Sequence, residues 1–180
     1  PCPQVEDAAA MKRFWKAVAV TPVDGGWQVT LDGRGIRTAR GNPQIVPTPD
    51  LAEAMAAEWA GQGEEVAASA FIFRDLADYP IDVVAPDPDT AIRELLPYGD
   101  TDTLCYRAED GEPLHARQLE VWEPLLVAAE QRWDVHFERI SGVIHQAQPK
   151  ATLRRLEAVL TAESDVALAA LNTLASLAAS

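Results

Sequence analysis

The chain has 180 residues, 48% of them hydrophobic, which is sufficient for one large or two small folded domains. Its formal net charge of −13 argues against nucleic-acid binding and against attachment to an anionic membrane, because both depend on clustered Lys and Arg. The apolar runs fall short of the roughly 20 residues that a membrane-spanning helix needs, so we expect no membrane insertion.

The cysteines predict a reducing compartment. Cys2 and Cys105 lie far apart, and Cys105 stands between Leu104 and Tyr106 in an apolar run, which favours a reduced, buried thiol over a disulfide. Residues 1–10 lack the apolar core of a secretory signal and do not resemble a transit peptide. We therefore expect a bacterial cytoplasmic protein, with the mitochondrial matrix as the compartment if the source is eukaryotic.

The first part of the chain predicts antiparallel β-structure. Trp27, Val29 and Leu31 alternate with polar residues and share one face of a strand, and Asp32-Gly33 favours a two-residue hairpin turn. The predicted elements are a strand over 14–20, a turn over 22–26, a strand over 27–31 and a return strand over 36–38. The glycine and prolines of 41–47 argue against a central strand there.

Helices follow, and most begin at a capping residue or a proline. We predict a helix capped by Thr48, a broken helix over 71–84, a short helix from Asp87 that Pro97 stops, a long helix over 113–133, and helices from Pro149 and Ser164. Residues 103–107 read as a short strand, and 135–143 as a strand or loop. Pro124 lies inside the long helix and predicts a kink, since an interior proline removes a hydrogen bond.

These elements predict the α+β class, with a β-rich domain over 12–85 that contains one or two helices and a mostly helical domain over 86–180. The last helix repeats a leucine every third residue along one face. We expect this stripe to be exposed and to mediate self-association of the 180-residue chain. Its members are Leu168, Leu171, Leu174 and Leu177.

Residue patterns for catalysis, metal binding and cofactor binding are weak. The three histidines lack the spacing of a helical ligand pair, and the Gly25-Gly26 and Gly33-Arg34-Gly35 runs fit hairpin turns better than a phosphate loop. Asp87 fits a helix cap, whereas Asp102 fits either an ion pair with Arg107 or a partner contact. We therefore predict no enzyme activity, no metal and no cofactor.

Several motifs, taken in order, carry a family resemblance over roughly residues 12–150. They are Lys12 to Lys16, Val29 to Arg34, Ala57-Glu58-Trp59 with Gln62, Leu76-Ala77 with Ile81-Asp82, and Tyr98, Asp102 and Leu104 to Arg107 followed by Gln118, Trp122 and Pro124. This series resembles the ATP synthase assembly chaperone family, which binds the alpha subunit of the catalytic head. Members of that family usually continue past a point such as Ser180, so the resemblance implies a truncated second domain.

The resemblance implies an assembly chaperone that protects the unassembled alpha subunit from aggregation until the beta subunit displaces it, without ATP hydrolysis. A monomer is expected for the full-length protein. The residues expected to bind the partner are Trp59, Tyr98, Asp102, Arg107, Gln118 and Trp122. Core packing is the competing interpretation for Trp59 and Trp122, and Trp15 and Trp27 are better candidates for exposure.

Two other functions stay open. A small α+β hydrolase of unknown substrate predicts a concave pocket where histidines and carboxylates converge. A permanent structural subunit predicts stable association with the finished ATP synthase instead of exchange.

Overall fold

The structure is a computed structural model that describes residues 11–178, so Cys2 lies outside the described residues. The chain divides between Pro86 and Asp87 into two compact units. Antiparallel strands occupy the first unit and helices dominate the second, which confirms the α+β class.

The sheet of the first unit is built around one central strand. Strand β2 (Gly26–Leu31) pairs with β1 (Val18–Val23) along one edge, and with β3 (Arg34–Gly35) and β4 (Ile45–Val46) along the other. Every pairing is antiparallel. The predicted Asp32-Gly33 turn joins β2 to β3, and both residues have positive φ angles of 49° and 80°.

The strand boundaries differ from the predicted ones. The first strand begins at Val18 instead of residue 14 and includes Pro22, because the pairing with β2 continues to the Asp24-Gly25 turn. The return strand pairs only at Arg34 and Gly35, earlier than predicted, and Arg37 forms an isolated bridge with Pro43. β4 lies inside the 41–47 region, for which no central strand was predicted, and it is an edge strand paired with β2. An edge position is the one that a strand between two prolines can occupy.

Helix α1 (Pro49–Ala60) packs across this sheet and completes the core of the first unit. Thr48 caps it as predicted, with its side chain accepting a hydrogen bond from the Leu51 N–H. Met55 and Trp59 lie on the buried side of α1, against Val29 and Leu31 of β2. Of the three residues that the alternation places on one face of β2, Val29 and Leu31 are buried and Trp27 is half-buried.

Helix α2 (Phe73–Tyr79) continues into a π-helical turn over Pro80–Val84. The predicted break near Pro80 is confirmed. Proline has no N–H to donate to the preceding turn, and the wider π turn accommodates its ring. Ala85 N–H donates to the Pro80 carbonyl and closes the turn.

The second unit contains five helices and two short strands within the described part of the chain. Its elements are α3 (Pro88–Asp100), β5 (Tyr106–Arg107), α4 (Pro113–Val121), α5 (Glu123–Trp133), β6 (Ile140–Ser141), α6 (Lys150–Thr161) and α7 (Asp165–Ala178). Helix α3 packs against α6 and α7, and β5 pairs with β6 in parallel. The predicted kink near Pro124 is confirmed: the helical segment is divided at Trp122 into α4 and α5. The break occurs there because Pro124 has no N–H to donate to the Glu120 carbonyl.

Two predictions in this unit are wrong. Pro97 does not stop α3, because the helix continues to Asp100 and both the N–H and the hydroxyl of Thr101 donate to the Pro97 carbonyl. Residues 103–107 are not a five-residue strand: Thr103–Cys105 form a 3₁₀ turn before the two residues of β5. The carboxylate of Asp102 accepts the Leu104 N–H at 2.8 Å and stabilises this turn in place of a strand.

Other features of the second unit follow the sequence. Asp87 caps α3 by accepting the Thr90 N–H, and Cys105 is free and buried as predicted. The expected exposure of the leucine stripe is wrong for Leu168, which is buried, whereas Leu171 and Leu174 are exposed. Self-association through this stripe stays a prediction. Within residues 11–178, every helix is too short or too polar to cross a bilayer.

Two glycines of the sheet allow a direct test of its geometry. A Cβ at Gly26 would lie 2.3 Å from the Val46 carbonyl oxygen, whereas one at Gly33 would have no atom within 4 Å. We expect Gly33→Ala to lower the free energy of unfolding by about 1 kcal/mol, from backbone conformation alone. Gly26→Ala should cost roughly 3 kcal/mol, because β4 must also move. Urea unfolding of the two variants measures the difference, and equal losses would contradict the β2–β4 pairing.

Candidate functional site

Helix α2 is apolar on two sides, and one of them faces solvent. Phe71, Ala77, Pro80 and Val84 are buried in the first unit. A second set of large side chains is exposed, with Ile72 at 62% and Leu76 at 53%. This set, which we call the apolar face of α2, consists of Phe73 and Leu76 of α2, Ile72 just before it and Val83 in the π-helical turn after it. Neighbouring exposed apolar side chains of this kind are suited to cover a partner's apolar surface.

The carboxylate of Glu58 fixes the start of α2. Its Oε1 accepts the N–H groups of Ile72 at 2.8 Å and Phe73 at 2.7 Å, and its Oε2 accepts that of Arg74 at 3.0 Å. These amides have no partner within the first turn of a helix, and a carboxylate also interacts favourably with the helix dipole. Glu58 therefore fixes the backbone position from which the side chains of Ile72 and Phe73 project into solvent.

Aromatic packing supports the same region from below. Trp59 is 8% exposed and contacts the ring of Phe71 at a centroid distance of 4.6 Å. Trp15 packs edge-on against Trp59 at 4.9 Å. The expected exposure of Trp15 is wrong, because its ring is 3% exposed in this cluster, and Trp27 is half-buried.

A buried polar network connects the loop before β4 to the far end of α2. Asp82 accepts hydrogen bonds from the Thr38 hydroxyl at 2.7 Å, the Asn42 amide at 2.8 Å and the Arg40 N–H at 3.2 Å. Burial opposes ionisation of Asp82, but the bonds from Asn42 and Thr38 outweigh it and lower its pKa. Burial raises the pKa of Asp78, which accepts the Ala39 N–H.

In the second unit, two of the motif residues bind the backbone around β5. Arg107 is 5% exposed, and its guanidinium donates to the Leu104 carbonyl and to Glu123 Oε2. Gln118 is buried on α4, and its Oε1 accepts the Ala108 N–H at 2.8 Å. Both side chains therefore fix the chain on either side of β5.

Arg139 extends this polar group beyond the motif. It pairs with Glu123 at 2.6 Å and with Glu130 at 2.5 Å. The hydrogen bonds from Arg139 lower the pKa of both carboxyl groups, and the two carboxylates raise the pKa of the guanidinium. Burial raises the pKa of the neighbouring Cys105 thiol to about 11, so that it is protonated at neutral pH.

The other motif residues are more accessible. Asp102 is exposed and caps the 3₁₀ turn, while Arg107 pairs with Glu123, so of the two alternatives for Asp102 the ion pair with Arg107 is not formed. Tyr98 on α3 is half-buried. Trp122 is also half-buried, and the Arg107 guanidinium lies 5.7 Å from its ring centroid.

The histidines do not converge. His115 lies 3.0 Å from Asp110, His136 lies 3.2 Å from Glu130, and His145 lies 3.8 Å from Asp100. A cleft in the first unit is lined by residues 12, 13, 15 and 62–65, none of which is a histidine. Within residues 11–178, no group of at least three His, Cys, Asp or Glu side chains is arranged to hold a metal ion. This arrangement does not favour the hydrolase hypothesis.

Sequence reasoning did not identify the apolar face of α2, Glu58 as its cap, or Arg139. The signal for the apolar face was available, because the polar residues of the predicted 71–84 helix share one side and leave an apolar arc wider than a single buried stripe. Glu58 stood inside a quoted motif without an assigned role. The pairing of Arg139 with Glu123 and Glu130 joins separate elements, and spacing along the chain does not reveal it.

The comparisons with known proteins agree on one class. The sequence profile of the ATP12 chaperone protein family matches residues 12–130. Two crystal structures of Atp12 from Paracoccus denitrificans, one of them a single-site variant, are each 35% identical to this chain. Their TM-scores are 0.80 and 0.81, and each match covers 88% of this chain and 68% of Atp12.

A third structure supports the same relationship. The Atu1473 protein of Agrobacterium tumefaciens is 35% identical with a TM-score of 0.79, and the match covers 92% of this chain and 63% of that protein. The chain is therefore an assembly chaperone by class, and it belongs to the ATP12 chaperone family.

The Glu58 cap gives a local prediction. Glu58→Ala removes the acceptor for the N–H groups of Ile72, Phe73 and Arg74, and should lower the free energy of unfolding by about 1–2 kcal/mol. Hydrogen exchange at these amides should become faster, while exchange in the second unit stays unchanged. Glu53→Ala, at an exposed position of the same helix, is the matched control. Unchanged protection of the three amides in Glu58→Ala would contradict the cap.

The Arg139 pairs predict a defined dependence on pH. The carboxyl groups of Glu123 and Glu130 have pKa values below their ordinary 4.5 in the folded chain. Their stabilising contribution is therefore complete above pH 4.5 and is lost as the pH falls through the lowered values. Arg139→Met should cost roughly 1–3 kcal/mol at pH 7 and markedly less near pH 3. Urea unfolding at both pH values tests this, and a loss independent of pH would contradict it.

Proposed function

We propose that this chain binds the unassembled alpha subunit of the ATP synthase catalytic head and prevents its aggregation until the beta subunit displaces the chaperone. The observation that carries the proposal is the apolar face of α2, which a soluble chain of the ATP12 chaperone family presents to solvent. An unassembled subunit exposes apolar surface that the finished complex later buries. Covering that surface with a matching apolar face prevents non-specific association.

The size of the effect is adequate for a chaperone. Burial of one large aliphatic or aromatic side chain contributes about 1.5–3 kcal/mol, and the apolar face of α2 contains four such residues that are at least 43% exposed. The loss of translational and rotational freedom on binding opposes this gain, so the net affinity is moderate. Moderate affinity is suited to a partner that must later be released.

The residues expected to bind the partner divide by accessibility. Trp59, Arg107 and Gln118 are buried and support the surface, which makes direct contact with a client improbable for them in this conformation. Tyr98, Asp102 and Trp122 are at least partly accessible and are the candidates for contact. Release follows from mass action when the beta subunit competes for the same client surface, and no nucleotide is required.

Co-expression of this chain with the tagged alpha subunit, in the absence of beta, tests the proposal. We expect a soluble complex with the unaltered chain. Ile72→Ser/Leu76→Ser should leave most of the alpha subunit insoluble, because it removes two exposed members of the apolar face of α2. Pull-down and the soluble fraction of alpha are the measurements.

The matched control is Leu114→Ser/Leu119→Ser, which removes two comparably exposed leucines from α4 in the second unit. It should retain alpha in solution. An alpha subunit that stays insoluble with the unaltered chain would overturn the proposal. Addition of beta should release the chaperone, whereas co-purification with the finished ATP synthase would identify a permanent subunit.

A further inference from the structure

The loop over 142–147 in the second unit presents two adjacent aliphatic side chains to solvent. Val143 is 93% exposed and Ile144 is 79% exposed, more than any other large hydrophobic residue in the part of the chain that the structure describes. Single exposed apolar residues are common on protein surfaces. Here two neighbouring apolar side chains at a loop tip both leave most of their surface in water. Such a pair is suited to insertion into a cavity of another molecule.

The first end of this loop is fixed on β5. Ile140 and Ser141 of β6 pair with Tyr106 and Arg107, and Ile140 is 3% exposed. The Gly142 N–H donates to the Arg107 carbonyl at 2.8 Å. The Ser141 hydroxyl donates to Glu109 Oε2 at 3.1 Å. The chain therefore leaves the strand in a defined direction.

The second end is fixed on α3 and β5. His145 Nδ1 lies 3.1 Å from the Tyr106 hydroxyl, and the Gln148 N–H donates to Asp100 Oδ1 at 2.7 Å. Gln148 is 3% exposed and accepts the Glu138 N–H. A loop with both ends bonded in this way loses little conformational freedom when it binds, so more of the burial energy remains as affinity.

The charges at the loop define its partner. The carboxylates of Glu109 and Asp100 lie at its two ends, while the nearby guanidinium groups of Arg107 and Arg139 are paired with Glu123 and Glu130. A second copy of this chain, whose net charge is −13, would oppose like charges at this surface. An anionic membrane would repel it for the same reason. A protein with an apolar pocket bordered by Lys and Arg fits both features.

We propose that Val143 and Ile144 insert into an apolar pocket, bordered by basic side chains, on the unassembled alpha subunit. This inference rests on the proposed function and adds a contact in the second unit to that of the apolar face of α2 in the first. Tyr106 and Arg107 of the family motif fix the backbone at the base of the loop.

Val143→Ser/Ile144→Ser in the 180-residue chain tests this inference against isolated alpha subunit. We expect the dissociation constant to rise at least about tenfold, because two aliphatic side chains no longer enter the pocket. Leu114→Ser/Leu119→Ser, the matched control, should stay within about threefold of the unaltered chain. Binding of the unaltered chain should weaken as NaCl rises from about 50 to about 300 mM, because salt screens the acidic border. Unchanged circular dichroism and thermal unfolding confirm that both variants are folded.

Each alternative result identifies what fails. If the loop variant binds as the unaltered chain does while Ile72→Ser/Leu76→Ser does not bind, the inference is overturned and the proposed function stands. If the unaltered chain does not bind alpha, both are overturned. The inference is also overturned if the control loses as much affinity as the loop variant, or if salt strengthens binding. Loss of self-association or of binding to anionic vesicles, with alpha binding unchanged, would assign the loop to a second copy or a membrane.

Discussion

In both units, polar groups fix the backbone from which the exposed apolar side chains project. In the first unit the Glu58 carboxylate accepts the N–H groups that begin α2. Phe71 packs against Trp59 in the core just before these capped residues, so the cap and the buried ring fix the helix start from both sides. Together they hold Ile72 and Phe73 at positions where their side chains are exposed.

The second unit satisfies the same constraint with different chemistry. Arg107 and Arg139 share Glu123, and Arg139 also binds Glu130, so that α5 and the segments before and after it are joined by charged hydrogen bonds. When an ion pair is partly shielded from water, the cost of removing its charges from water offsets much of their attraction. Its main effect is then to hold the paired segments in one relative position. Here that geometry surrounds β5 and β6, the strands from which the 142–147 loop begins. A single apolar core contact would leave the direction of this loop less defined.

How far the sequence predicts this molecule depends on the range of the interaction. Local signals succeeded: Thr48 and Asp87 cap helices, Asp32-Gly33 forms the hairpin turn, and Pro124 divides a long helix. Predictions failed where a short-range polar contact competed with the apolar pattern. The run 103–107 has the composition of a strand, yet the Asp102 carboxylate stabilises a 3₁₀ turn over its first half.

The candidate site was less predictable than the fold, for a related reason. The motif residues Trp59, Arg107 and Gln118 are buried supports: Trp59 packs on the Phe71 ring, while Arg107 and Gln118 bind the backbone before and after β5. The side chains that face solvent beside them are ordinary Ile, Leu and Val, whose exposure is visible only after the chain has folded. Sequence motifs in this chain therefore mark the supports of its exposed apolar surface more clearly than the surface itself.

Two separate contacts also suit the release step of the proposed function. A single interface of high affinity would have to dissociate as a whole before the beta subunit could bind. On the two proposals taken together, a second moderate contact on the same chain adds to the affinity of the first. A competitor that occupies one of the two client surfaces removes this advantage and leaves a single moderate contact, which dissociates readily. The proposed protection and the proposed release would then both follow from two moderate contacts on one chain.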